Sequence, residues 1–217
     1  MSFNTLASSV GCSVNTIYSE FINKDDLALA LFNRYFAKWG VELFALSFQC
    51  PADYLSRFIL PHYIGAVHQD DEYESLGLGA IGADSNVWER ASPKRLLITR
   101  KLFSIWKRQQ YDYLVQGRLM GLIKGSEKNI WDVISMLSVI ERGFSILSLN
   151  PMLSDEIRSI NSPYICDQFA CAMAQLQPAD SPISFDFESI KKNADAIVGN
   201  LEGFDPDSYI ESIERSI

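Results

Sequence analysis

The sequence predicts an all-α fold, and three observations lead to this prediction. Apolar residues recur three and four positions apart along most of the chain, which is the spacing of one helix face. The dipeptides Ser92-Pro93 and Ser162-Pro163 have the residue types that favour the first positions of a helix. Strand signals are absent, since the sequence has neither Asn-Gly turns nor sustained two-residue alternation. At 217 residues the chain suits one large domain, or a small domain fused to a larger one.

Local signals set the boundaries of the predicted helices. Gly11 ends the first apolar run, and Ser13 is a favourable N-cap for the second helix. Asn23 caps a third helix, which should continue to about residue 49 because Pro51 cannot extend it. The predicted helices cover about 3–10, 14–21, 24–49, 53–68, 92–123, 126–149, 163–177, 186–202 and 207–216.

The composition is that of a globular protein. Hydrophobic residues make up 47% of the chain and aromatic residues 12%, which disfavours a disordered protein. The net charge is −8, but cations concentrate between 94 and 128 and acids after 180, so the total charge argues neither for nor against a DNA-binding module. No signal peptide and no uncharged apolar run of about 18 residues occurs. We therefore expect a cytoplasmic protein without a membrane partner.

The first two predicted helices have the plan of a helix-turn-helix. They are separated by a short turn that contains glycine, at 11–13, and such a turn sets two helices at a steep angle. The helical spacing turns three apolar side chains of the second helix inward. Its polar side chains point outward near the helix start, where base edges would lie in a major groove. The inward residues are Val14, Ile17 and Phe21, and the outward residues are Asn15, Thr16 and Ser19.

This segment resembles the DNA-binding domain of the tetracycline-repressor (TetR) family. The resemblance is carried by the turn 11–13, by Ile17-Tyr18-x-x-Phe21 and by Lys24-Asp25-x-Leu27, and it covers about residues 2–46. It implies a DNA-binding headpiece at 1–46 and a helical domain for effector binding and dimerisation at 47–217. The implied function is that of a ligand-responsive regulator, a repressor. As a homodimer it would bind a near-palindromic operator in double-stranded DNA and respond to an unknown small-molecule effector.

The resemblance also assigns roles to single residues of the headpiece. Ser2 would cap the first helix of the motif and contact a phosphate, and Ser13 would cap the recognition helix. The Tyr18 hydroxyl would bind a phosphate, and Lys24 would meet the DNA backbone as a cation. The three outward polar residues of the second helix would lie in the groove.

Three features depart from the family pattern. The family has a helix before the motif, so we expect that this helix is missing here or that the start codon is misassigned. The recognition helix has no Lys or Arg, and Glu20 stands where the family often has His. Since neutralising phosphates supplies much of the affinity for DNA, an alternative stays open. It is a helical ligand- or protein-binding dimer with a non-functional headpiece.

Three side chains that combine an aromatic ring with a polar tip are predicted to line an effector pocket: His62, Trp106 and Tyr111. His62 and His68 are the only histidines, and neither has a catalytic or metal-binding companion nearby in the sequence. The four cysteines lack zinc-site and CxxC spacing. We therefore expect no enzymatic activity, no metal and no cofactor.

Three further patterns have structural interpretations. Residues 77–82 match G-x-G-x-x-G, but no strand precedes them, and a loop is predicted over 70–86. The basic stretch 94–128 is more typical of a solvated helix face than of a second nucleic-acid surface. Small residues in the helix 126–149 allow close helix approach. Together with the helix 163–177 it is the predicted dimer face, a pairing that the family resemblance implies.

Overall fold

The computed structural model describes residues 2–67, 81–82, 84–148, 152, 162–176 and 183–216. These residues form helices and no strand, so the predicted all-α class is confirmed. The described α-helices are α1 (Phe3–Val10), α2 (Val14–Glu20), α3 (Lys24–Phe36), α4 (Leu43–Ser47), α5 (Tyr54–Val67), α6 (Ser85–Arg90), α7 (Pro93–Leu119), α8 (Glu127–Ser148), α9 (Ser162–Met173), α10 (Phe187–Leu201) and α11 (Pro206–Glu214). A π-helical segment, Ala37–Glu42, connects α3 to α4, and a 3-10 turn, Ala174–Leu176, follows α9.

Three hydrophobic clusters hold these helices together. The smallest joins α1 to α2 and includes only three buried apolar residues. The second packs α3 and the π-helical segment against α6, α7 and α11. The largest packs α4 and α5 against α7, α8, α9 and α10. α3 therefore belongs to the second cluster and α4 to the largest one. The continuous helical rod formed by α3, the π-helical segment and α4 links these two clusters.

This helical rod is much longer than the two helices that precede it. α3, the π-helical segment and α4 follow one another without a break from Lys24 to Ser47. At about 1.5 Å per residue the rod is roughly 36 Å long. The sequence predicts one helix here but not its π-helical middle, because apolar spacing does not distinguish a local change in helical pitch.

The C-terminal helix α11 packs back onto the start of the fold. Ile210 and Ile213 are buried in the cluster that contains α3 and α7. The guanidinium of Arg34 in α3 pairs with Asp207 at 3.1 Å, and Lys94 in α7 pairs with Glu214 at 3.1 Å. α11 thus contacts both α3 and α7 through apolar side chains and ion pairs, and it links these two helices.

Most predicted helix boundaries agree with the structure, with two differences. α7 ends at Leu119 rather than near residue 123, and Gly121 follows in the left-handed region. The short helix α6 begins at Ser85, inside the stretch predicted as a loop, and Asp84 caps it. His68, most of the glycine motif at 77–82 and the predicted helix stop at 150–151 lie outside the described residues. Among the described helices, none combines the length and apolarity needed to cross a bilayer.

Candidate nucleic-acid interface and ligand cavity

α1 and α2 are two short helices joined by the tight turn 11–13. Gly11 ends α1 with φ at 71°, a conformation that a residue without a Cβ adopts without strain. The Ser2 hydroxyl accepts a hydrogen bond from the Thr5 N–H, and the Ser13 hydroxyl accepts one from the Thr16 N–H, both at 3.1 Å. Each cap satisfies a backbone donor at a helix start. The predicted capping roles of Ser2 and Ser13 are confirmed.

The inner face of α2 packs against α1. Phe3 and Ile17 are buried in this small core, and the half-buried Val14 and Phe21 pack against it. The guanidinium of Arg95 from α7 lies 5.4 Å from the centre of the Phe21 ring. The apolar side chains that the sequence turns inward are therefore the ones that hold α2 in place.

The opposite face of α2 is polar and exposed. Asn15, Thr16, Ser19 and Glu20 all lie on this surface. The Thr16 hydroxyl lies 2.8 Å from the Ser13 hydroxyl, and the Ser19 hydroxyl donates to the Thr16 carbonyl at 2.7 Å. The Asn15 amide forms no hydrogen bond with any residue that the structure describes. Asn15 therefore has its donor and acceptor available for an outside partner.

Ser2, Tyr18 and Lys24 line one shallow surface depression of about 300 Å³. Tyr18 is 57% exposed, and its ring meets Phe3 edge to face with 5.1 Å between ring centroids. This contact orients the phenol toward the surface. The depression combines two hydroxyls and an ammonium group, which are donors suited to an anion. The three residues predicted to contact phosphates thus lie together.

A buried carboxylate fixes the start of α3 to the start of α7. Asp26 is 1% exposed and accepts hydrogen bonds from the Ser92 N–H at 2.9 Å and the Ser92 hydroxyl at 2.6 Å. The Ile22 N–H donates to its other oxygen at 3.3 Å. The Asn23 amide donates to the Arg90 carbonyl at 2.8 Å. The end of α2 is therefore attached to the α6–α7 junction through the first turn of α3.

A second buried polar contact aligns α3 with α7. The Asn33 side-chain oxygen accepts from the Thr99 hydroxyl at 2.7 Å, and the Asn33 amide donates to the Arg95 carbonyl at 3.3 Å. Sequence analysis missed this contact and the one at Asp26, because the partners lie 62 to 66 residues apart. A buried polar group left without a partner costs about 1–3 kcal/mol. These contacts therefore restrict how α3 can move.

A separate cavity lies between the π-helical segment and helices α4, α5, α7 and α8. It is small, since the space that a water-sized molecule can occupy in it is about 30 Å³. Aromatic rings form most of its wall, and Trp106 meets the rings of Phe36 and Phe44 edge to face at 5.7 and 6.1 Å between centroids. The aromatic residues are Tyr35, Phe36, Trp39, Phe44 and Trp106, the glycines are Gly40 and Gly65, and the polar residues are Glu141, Arg142 and Ser145.

Of the three residues predicted for an effector pocket, Trp106 lines this cavity and His62 acts on it indirectly. The His62 ring is fully buried, and its Nδ1 lies 2.6 Å from the Oε2 of Glu141, which does line the cavity. Phe44 and Phe58 pack against the His62 ring with centroids 5.2 and 5.9 Å away. His62 therefore positions Glu141 instead of forming part of the wall.

The third predicted pocket residue, Tyr111, does not line this cavity. Its ring stacks on Trp131 at the start of α8, with 4.9 Å between centroids and 14° between planes. Tyr111 follows Trp106 by five positions on α7, and five residues turn a helix by about 140° from the starting direction. The two side chains therefore leave α7 in different directions. Their spacing in the sequence already indicated that Trp106 and Tyr111 do not line the same cavity.

α8 presents apolar side chains to solvent beside the 3-10 turn that follows α9. Val139 is 70% exposed and Met136 40%, and both line a shallow groove with Asp132, Ser135 and Gln175. Farther along α8, Leu147 is 40% exposed. These side chains belong to α8, one of the two helices that sequence analysis assigns to dimerisation.

Two further results bear on functional assignment. Within the described ranges, no group of three or more His, Cys, Asp or Glu side chains is placed to hold a metal ion. Comparisons of the chain with models of protein families, with curated proteins and with solved structures found no match. Assignment of a function therefore depends on the geometry of this chain itself.

Proposed function

We propose that this chain is a ligand-responsive DNA-binding transcriptional regulator of the TetR type, a cytoplasmic repressor. The observation that carries the proposal is the two-sided character of α2. Ile17 is buried on one side, while Asn15, Thr16 and Ser19 are exposed on the other. In a helix-turn-helix the exposed face of the second helix lies in the major groove. The headpiece, residues 1–46, would present α2 to DNA in this way.

Contacts with the DNA backbone would come from the depression beside α2. Lys24 supplies a cation, and Ser2 and Tyr18 supply hydroxyls on the same surface. α2 has no Lys or Arg, and its exposed Glu20 would repel phosphates. One headpiece therefore has few favourable contacts. Two headpieces linked in a dimer would gain affinity through the high effective concentration of the second.

The partner in that dimer would be a second copy of the chain, paired through α8 and α9. The exposed Met136, Val139 and Leu147 of α8 are apolar side chains whose burial in an interface is favourable. A two-fold axis at this face would relate the two α2 helices. Recognition of a near-palindromic operator follows, with half-sites separated by about one turn of DNA or a multiple of it.

The rod from α3 to α4 offers a connection between cavity and headpiece. Its first residue, Lys24, lies beside α2, and its π-helical segment contributes Trp39 and Gly40 to the cavity wall. π-helical turns occur frequently at functional sites. An effector would change DNA binding only by the difference in its affinity for two orientations of this rod. Release from DNA would follow if the occupied cavity favours an orientation that separates the two α2 helices.

Selection of random DNA duplexes by the full-length protein tests the proposal. We expect enrichment of one near-palindromic sequence, seen as a discrete gel shift that weakens with salt. A Tyr18→Phe, Lys24→Ala double variant removes two proposed phosphate contacts without touching the buried core, and it should select no sequence. Failure of the wild-type protein to enrich any duplex would contradict the proposal.

The exposed Glu20 and the absence of Lys and Arg from α2 favour a second candidate function. The chain would then be a helical dimer that binds a ligand or a protein through a fold with a non-functional headpiece. A protein that dimerises and binds a small molecule but enriches no duplex would identify this second function.

A further inference from the structure

We infer that the exposed face of α7, together with the turn that follows this helix, docks the protein on an anionic lipid surface. The face is cationic, and the turn adds apolar side chains at its end. The cations are Arg100, Lys101, Lys107, Arg108 and Arg118, and the apolar residues are Leu119, Met120 and Leu122. This role goes beyond the regulator proposed above and does not depend on it.

The first argument is the local charge. Residues 100–128 contain seven Lys or Arg and two Asp or Glu, although the whole chain contains 19 and 27 of them. Clusters of about four to eight cations on an amphipathic helix are typical of segments that bind anionic lipids. The charge of this stretch is thus opposite to that of the whole chain.

The second argument is the arrangement of the cations on α7. With about 3.6 residues per turn, they share the side of the helix that lies opposite the buried Leu102. Arg108 pairs with the exposed Asp112 at 3.3 Å. In the part of the chain that the structure describes, no ion pair neutralises the exposed side chains of Arg100, Lys101 and Lys107. These three cations are therefore available to an anionic partner.

The third argument is the apolar end of the face. Leu119 is 73% exposed, Met120 57% and Leu122 45%. The turn that carries them is attached to the fold, because the Lys124 N–H donates to the Leu176 carbonyl at 2.7 Å. Apolar side chains next to cations are the combination that enters the boundary between lipid headgroups and acyl chains.

Two other partners match this surface less well. In a two-fold contact with a second copy of the chain, the cations of both copies would lie close together, and like charges repel. Duplex DNA would pair with the cations but would leave the apolar side chains of the turn in water. An anionic bilayer accommodates both parts, since its headgroups attract the cations and its acyl chains bury the apolar side chains.

The sequence-based expectation of no membrane partner considered only a signal peptide and a spanning segment. Docking on a lipid surface requires neither of these, because the helix lies in the plane of the headgroups. α7 would therefore contact the bilayer along its length and insert only the side chains of the turn.

Cosedimentation of the full-length protein with vesicles tests this inference. One set of vesicles contains phosphatidylcholine alone, and the other contains equal parts of phosphatidylcholine and phosphatidylglycerol. We expect binding to the mixed vesicles to be at least about tenfold tighter than binding to the neutral ones. Added salt should weaken the binding, because it screens the attraction between cations and headgroups.

A double variant tests the cations of α7. Arg100→Glu, Lys101→Glu reverses two adjacent exposed charges and should weaken binding to the mixed vesicles at least about twentyfold, since one cation at an anionic surface contributes about fivefold. Lys191→Glu, Lys192→Glu makes the same charge change at two adjacent exposed residues of α10 and is the matched control. The control should have little effect, because salt screens charges beyond about 10 Å.

A single variant tests the apolar end. Leu119→Ser should weaken binding to the mixed vesicles about tenfold, because a leucine side chain is no longer buried among acyl chains. Val10→Ser changes an apolar residue of α1 that is 62% exposed, and vesicle binding should not change. Circular dichroism checks that each variant is folded, which we expect because all the replaced side chains are exposed.

Three results would overturn the inference: no binding of the wild-type protein to the mixed vesicles, equal affinity for both vesicle compositions, or unchanged vesicle binding by either folded variant of the face. If the double variant weakens binding to random duplex DNA but not to vesicles, the cations serve nucleic acid instead. Operator selection is measured without vesicles, so the proposed regulator and the lipid surface fail independently.

Discussion

Asp26 of α3 accepts two hydrogen bonds from Ser92, the residue that caps α7. Ser92 thus contributes to both helices, because its hydroxyl donates to Asp26 and also accepts from the Arg95 N–H at 3.4 Å. The starts of two helices that are far apart in the chain are joined through one serine. Movement of α3 relative to α7 must break this contact.

Replacing Asp26 by Ala should lower the free energy of unfolding by about 2–3 kcal/mol, because Ser92 and Ile22 lose a buried charged acceptor. Urea denaturation followed by circular dichroism measures this loss. Asp25→Ala is the matched control, since Asp25 pairs with the exposed Arg90 at 3.7 Å and such a pair contributes about 1 kcal/mol or less. If both variants lose the same free energy of unfolding, the buried contacts of Asp26 add no more stability than the exposed ion pair of Asp25.

Asn15→Ala and Lys24→Ala should affect DNA binding in different ways. Loss of the Asn15 amide should reduce discrimination between the selected operator and a one-base variant by about 1–3 kcal/mol. Loss of the Lys24 ammonium should weaken binding to all duplexes alike and lower the salt slope by about one for each headpiece. Fluorescence anisotropy at several salt concentrations separates these effects. Unchanged discrimination by Asn15→Ala would exclude Asn15 from base recognition.

Val139→Asp should convert the proposed dimer to a monomer, because it places a charge among the exposed apolar side chains of α8. Analytical ultracentrifugation measures the change. Val10→Asp makes the same substitution at a residue of α1 that is 62% exposed, and the proposed dimer should persist in this variant. A Val139→Asp protein that still sediments as a dimer would place the interface elsewhere.

Cys166 and Cys171 of α9 should differ in their rate of alkylation. Cys166 is buried, and this burial raises the pKa of its thiol to about 11. Because the thiolate is the reactive form, a raised pKa keeps Cys166 protonated and unreactive until the pH approaches that value. Cys171 is exposed. Iodoacetamide at pH 8 should therefore label Cys171 first in the folded protein, as measured by peptide mass spectrometry. Equal alkylation rates at the two cysteines would contradict the burial of Cys166 and the exposure of Cys171.

Features that depend on neighbouring residues were predictable from the sequence. Ser2 and Ser13 cap helices by binding residues three positions later, so the sequence contains the whole signal. The inward position of Ile17 follows equally from helical spacing. The all-α class depends on many such local features, which explains why it could be predicted.

Features that depend on distant parts of the chain were not predictable. α6 has only six residues, and its Val87 is buried against other helices. Its existence therefore depends on tertiary packing instead of local sequence. The pairing of His62 with Glu141 joins residues 79 positions apart, so the sequence indicated a polar aromatic residue but not its partner.

The position of α11 has a consequence for synthesis of the protein. Ile210 and Ile213 complete the hydrophobic cluster around α3, and Glu214 pairs with Lys94. Residues as late as Glu214 must have left the ribosome before this cluster can close, so α3 lacks the support of α11 until then. A product truncated before α11 would therefore carry α1 and α2 on a helix, α3, whose hydrophobic cluster lacks Ile210 and Ile213.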